Sequence, residues 1–70
     1  MNFTEACGFV MPLGKHKGST LARIGANAEG LKYLDWLIGQ DWVNGKLKEA
    51  LGVYLKHPAI SMQLDAVIDD

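Results

Sequence analysis

Apolar residues recur at helical spacing through most of the second half of this chain, and they alternate in only one short stretch near its start. Leu31, Leu34, Leu37 and Ile38 follow the three- and four-residue steps of one helix face, which predicts a helix from about Ala28 to Ile38. Asn27 stands where its cap belongs, and Gly39 where it should stop. Gly30 is expected to weaken its first turn. Tyr33 and Trp36 widen the apolar arc, so Trp36 is expected in the core, while Trp42 at the following junction is left open between core and surface. Leu47, Ala50, Leu51, Tyr54 and Leu55 give the clearest helical stripe, with Asp41 or Asn44 as its cap. His57-Pro58 ends it, because a residue before proline is pushed out of the α region. Pro58 then opens a last helix carrying Ile60, Leu64, Val67 and Ile68, expected to fray toward its acidic end.

Upstream the pattern changes. Phe9, Met11 and Leu13 alternate with Val10 and Pro12, which predicts a short strand that lies at an edge or ends irregularly, because Pro12 has no N–H to donate. Gly14 and Gly18 bracket Lys15-His16-Lys17 and suggest a tight reversal that pushes those three side chains outward. Ser19-Thr20-Leu21 is expected to return as a second strand and run into a helical turn at Leu21–Ile24, capped by Ser19 or Thr20. Residues 1–8 and 66–70 are expected to be loosely held. The expected fold class is therefore α+β, a short N-terminal β-hairpin packed on two to three α-helices in one small domain spanning residues 1–70.

Composition sharpens this picture modestly. Seventy residues with 49% apolar content fit one globular domain rather than a disordered chain. The net charge of −1 is unevenly spread: residues 1–34 carry +2 and residues 35–70 carry −3, so an anionic partner should meet the first half. No apolar run approaches a membrane span, and the start lacks the pattern of a signal peptide. Cys7 is the single cysteine, which with the missing signal pattern points to the cytoplasm.

Several chemistries can be set aside. The Gly14–Thr20 stretch fails the phosphate-loop pattern in glycine spacing and in its lysine position. Cys7, His16 and His57 have no metal-ligand spacing, so no metal or cofactor is expected. Asp35, Asp41 and Glu49 lie on different predicted elements, which gives no acid–base pair and no expectation of enzymatic activity. Tyr33, Trp36 and Trp42 are of a kind that stacks on unpaired bases, although core packing is the commoner use of such rings.

The stretch from Met11 to about Leu55 resembles a known small module. Its marks are Met11-Pro12-Leu13-Gly14-Lys15-His16-Lys17-Gly18, then Leu21-Ala22-Arg23-Ile24, then Tyr33-Leu34-Asp35-Trp36-Leu37. That module closes exonuclease-X-like DNA exonucleases and occurs as stand-alone bacterial and phage proteins, some labelled quorum-sensing-regulated virulence factors. Leu13 stands where such families usually show phenylalanine, and the tail after His57 lies outside the resemblance. The resemblance implies an accessory element that contacts DNA or another protein, because the exonuclease's catalytic acids lie in a domain not represented here. Gly14, Lys15, His16, Lys17 and Gly18 carry over as the contact loop, and Tyr33 and Trp36 as packing positions. Arg23 and Lys32 join the candidates on charge and placement alone.

The leading expectation is a non-enzymatic module that binds single- or double-stranded DNA. Lys15 and Lys17 would meet phosphates, the Gly14 and Gly18 backbone would permit close approach, and His16 would hydrogen-bond or stack. The alternative is an interaction protein that docks on a host or nuclease protein, with exposed apolar residues near Val43 or Ile60. A homodimer would give a weak module a second copy, and no membrane role is expected.

Overall fold

The computed structural model describes residues 1–68. They form five helices in chain order, α1 (Phe3–Cys7), α2 (Leu21–Ile24), α3 (Ala28–Ile38), α4 (Gly45–Lys56) and α5 (Pro58–Ile68). The expectation of a loose tail over residues 66–70 lies outside the described residues at 69 and 70.

The expected α+β class is overturned: the fold is all-α, with no strand among the described residues. What remains of the hairpin is one isolated antiparallel bridge between Val10 and Thr20. It is framed by the Leu21 N–H donating to the Phe9 carbonyl at 3.0 Å and the Met11 N–H donating to the Ser19 carbonyl at 2.8 Å. The ladder then fails. The Met11 carbonyl accepts from Gly18 N–H at 2.9 Å, while Ser19 N–H turns back to the His16 carbonyl at 3.0 Å. Two residues thus oppose one, as at a bulge, and the Gly14–Lys17 turn follows before any pairing resumes. On the other side Thr20 is already the cap of α2, its Oγ1 accepting from Arg23 N–H at 3.2 Å. The alternation upstream also fails to define one inward face: Met11 is buried, but Leu13 is 37% exposed.

The sequence pattern assigns no element to residues 1–8, yet α1 forms there. Asn2 and Glu5 cap it reciprocally: Asn2 Oδ1 accepts from Glu5 N–H at 2.8 Å, and Glu5 Oε1 accepts from Asn2 N–H at 3.2 Å. Its apolar side docks on α4. Ala6 is fully buried, and the Phe3 ring stacks on Tyr54 and on His57, with centroids 5.7 and 3.8 Å apart.

The longer helices follow their expected stripes. Asn27 caps α3, its Oδ1 accepting from Gly30 N–H at 2.7 Å, and Gly39 closes it. Leu31, Leu34 and Leu37 of α3 meet Leu47, Ala50, Leu51, Tyr54 and Leu55 of α4 in one core, which Met11, Leu21 and Ile24 close from the loop side and α2. Asn44 caps α4 without a side-chain bond, and His57 leaves the helix with ψ at 134°, as its place before proline demands. Ile60 and Leu64 bury α5 against α3 and α4. Gly30 proves to be a packing position: a Cβ there would collide with the Ile24 carbonyl, so its bare backbone is what lets α2 and α3 close.

One expectation about a side chain is corrected. Trp36 is 54% exposed, not core, because helical geometry sets it opposite Leu31 and Leu34. Val43 and Ile60 themselves are buried, and the exposed apolar residues expected near them are Trp42 and Met62.

Candidate functional site

Gly14 and Gly18 adopt φ of 82° and 91°, in the left-handed region that glycine enters without penalty. Between them, the Lys17 N–H donates to the Gly14 carbonyl at 3.2 Å and closes a turn. The loop is not a free tip. It lies against Tyr33 of α3, so closely that a Cβ at Gly14 would sit 2.5 Å from the Tyr33 hydroxyl. The His16 ring meets Tyr33 edge-on, with centroids 4.8 Å apart and planes at 61°. Lys15 Nζ stands 5.5 Å from the Tyr33 ring centroid, within cation–π range. It also pairs with Glu29 Oε1 at 3.8 Å, a long contact between two well-exposed groups that adds little by itself.

The three residues expected to point outward therefore divide. Lys15 and Lys17 are exposed. His16 is half-buried, and its Nε2 is shut away from solvent without a hydrogen-bond partner among the described residues. The ring is held by packing, and the site's cationic character rests on the lysines.

The α3 surface continues the site. Glu29, Lys32, Tyr33 and Trp36 fall at i, i+3, i+4 and i+7, one face of the helix turned away from its buried leucines. Tyr33 and Trp36 lie 5.9 Å apart between centroids and are tilted by 33°. Gln40 Nε2 donates to the Trp36 carbonyl at 2.9 Å and ties down the last turn beside the indole. His16, Tyr33 and Trp36 thus form a continuous run of rings with Lys15 beside it and Lys32 on the same helix face. Arg23 is exposed on α2 but enters none of the ring or ion-pair contacts of this group. Sequence reasoning placed the cations correctly on the surface and missed the exposed face of Trp36. The signal was available: Trp36 is seven residues from Glu29 and four from Lys32, both polar.

Other chemistry has little footing. Among the described residues no three of His, Cys, Asp and Glu gather as a metal site requires. His57 accepts a hydrogen bond from Ala59 N–H at Nδ1 and stacks on Phe3, and Cys7 is half-buried in α1. A groove of about 630 Å³ runs between the end of α3 and α4, with Ile38, Val43 and Val53 among its walls and Lys48 and Glu49 beside them. By helical geometry Ile38 lies on the opposite side of α3 from Glu29 and Trp36, so this groove is a separate surface. No described helix is long and apolar enough to cross a membrane.

No family model matches the chain, and no curated protein or solved structure is similar to it.

Proposed function

We propose that this chain is a non-catalytic nucleic-acid-binding module that meets DNA through the Gly14–Gly18 loop and the adjoining face of α3. The observation that carries the reading is the seating of the loop on Tyr33, with Lys15 Nζ 5.5 Å from the ring. It fixes Lys15 beside the helix face that bears Lys32, with exposed Lys17 two residues on in the same loop, in a chain that is slightly acidic as a whole. Lys15, Lys17 and Lys32 contact phosphates, and Arg23 of α2 adds a peripheral charge. Gly14 and Gly18 set the loop's shape. His16 supports Tyr33 instead of touching the ligand. Such contacts position a protein on a strand without reading its sequence.

An accessory role is also what the motif resemblance of Met11–Leu55 to the closing module of exonuclease-X-like exonucleases implies, although no family model matches the chain. Two to four phosphate contacts give weak binding, so the module works when tethered to an enzyme or doubled in a homodimer. The test is DNA affinity across a salt series for the wild type and for Lys15→Ala/Lys17→Ala. Each phosphate contact contributes about 0.9 to the slope of log affinity against log salt, so the double variant should lose roughly two. An affinity that ignores both salt and the double substitution would overturn the reading.

The groove between α3 and α4 favours a second reading, a protein partner in the host or a nuclease, because Trp42 beside it is 53% exposed. On that reading Trp42→Ala abolishes partner capture and Lys15→Ala/Lys17→Ala does not.

A further inference from the structure

From the exposed ring of Trp36 we infer that the ligand is a single DNA strand, one of whose bases stacks on that indole while Lys15 and Lys32 hold the phosphates beside it. This rests on the nucleic-acid reading above and narrows it to unpaired strands. The inference starts from an anomaly of packing. A small domain has few large rings to spend on its core, and tryptophan is the largest of them. Here the indole is 54% exposed and sits outside the core cluster, whose α3 contribution is made by leucines. It is packed on one side: its ring lies 5.9 Å from Tyr33, which is in turn packed by His16, and Gln40 bonds the backbone carbonyl of Trp36. A ring supported on one side and open on the other is what a stacking platform requires.

The charges around it select the ligand. Lys32 lies one helical turn before Trp36 on the same face, and Lys15 reaches that face over Tyr33. An aromatic surface flanked by lysines fits a strand whose bases are apolar in face and whose backbone is anionic. In a duplex the bases are stacked on one another, and their faces are closed to a protein ring that does not intercalate. Stacking therefore discriminates single strands from double ones, whereas the lysines serve both. Glu29 is the one acidic group on this face, and its 3.8 Å contact with Lys15 is weak enough for a phosphate to displace. Asp35, the other nearby acid of α3, lies about 100° round the helix from Trp36, although it is one turn from Lys32.

The experiment compares fluorescent oligothymidylate, a duplex of equal length and oligouridylate, each titrated against wild type, Trp36→Ala and Trp36→Phe, with circular dichroism confirming the fold of each variant. In a Trp42→Phe background the single remaining indole also reports directly by its emission. The expected result is tighter binding of oligothymidylate than of duplex, with quenching of the Trp36 emission. Trp36→Ala should lose about tenfold on oligothymidylate and little on duplex, and Trp36→Phe should keep most of the affinity. Equal binding of single strand and duplex, unaffected by Trp36→Ala yet lost in Lys15→Ala/Lys17→Ala, would overturn this inference and leave the lysine reading standing. Oligouridylate bound more than tenfold tighter than oligothymidylate would overturn the assignment to DNA. No binding of any strand at low salt would overturn both readings.

Discussion

His16 and Tyr33 hold the loop and α3 together through an edge-to-face contact of 4.8 Å, and that contact leaves His16 Nε2 buried without a partner among the described residues. Ring packing and polar satisfaction oppose each other at this position. An aromatic pair of this geometry adds about 0.5–1.5 kcal/mol beyond its area, while an unsatisfied buried polar atom costs about 1–3 kcal/mol. His16→Phe keeps the ring and removes the orphan nitrogen, so it should stabilise the fold by about 1 kcal/mol in urea unfolding. It should leave DNA affinity within about twofold, since His16 is placed as a support and not as a contact. A His16→Phe variant that is destabilised, or that loses binding, would show that Nε2 has a partner the loop needs.

Gly30 of α3 packs directly against the Ile24 carbonyl of α2. A methyl group at Gly30 meets backbone, which cannot swing aside as a side chain would. Gly30→Ala ought to cost more than the roughly 1–3 kcal/mol of ordinary overpacking, despite the better helix propensity of alanine. Because the whole stability of so small a domain is only on the order of 5 kcal/mol, the variant should be largely unfolded by circular dichroism. A native-like spectrum with an unchanged melting temperature would mean that α2 is not held against α3 as described.

Tyr54 gives the fold an alkaline limit. Burial between α1 and α4, and then the nearby Cys7 thiolate charge, raise its pKa above the ordinary 10.0. The unfolded chain ionises this phenol first, and the folded chain resists. Its contribution to stability is therefore complete below about pH 10 and is lost as the pH rises from there through the raised folded value. Urea midpoints measured from pH 8 to 11 should fall at the alkaline end for the wild type and fall less for Tyr54→Phe. Parallel curves for the two proteins would remove Tyr54 as the cause.

On the proposed function, Glu29 would compete with DNA for Lys15. Glu29→Gln removes the only carboxylate on the ring-bearing face of α3 and frees the lysine from its 3.8 Å partner. Affinity for an oligonucleotide at low salt should rise a few-fold, with the gain shrinking as salt screens the charges. Unchanged affinity would place the strand away from α3.

Much of this architecture can be followed from particular residues. Asn27, Gly39 and His57-Pro58 mark helix ends because capping, reversal and the pre-proline restriction are local effects. The leucine stripes of α3 and α4 name the core because burial follows helical period. The hairpin misled because Phe9, Met11 and Leu13 alternate in type while only Met11 is buried, and because the Met11–Gly18–Ser19 bulge depends on pairings that no spacing records. The short α1 lacks a stripe long enough to see, although Asn2 and Glu5 stand at capping-box spacing. At the candidate site the loop glycines and lysines were legible from composition and spacing. The seating of His16 on Tyr33 was not, because it depends on how the loop meets a helix 17 residues away. Trp36 was misjudged by hydrophobic type, where its position relative to Lys32 and Glu29 was the better guide.

The most direct test of the central claim is to titrate oligothymidylate into isotope-labelled protein and follow every backbone amide and both indoles by NMR. Perturbations confined to Gly14–Gly18, Lys32, Tyr33 and the Trp36 indole, and fading with added salt, are the predicted result. Perturbations centred on Trp42, Lys48 and Val53, or no perturbation at low salt, would contradict it.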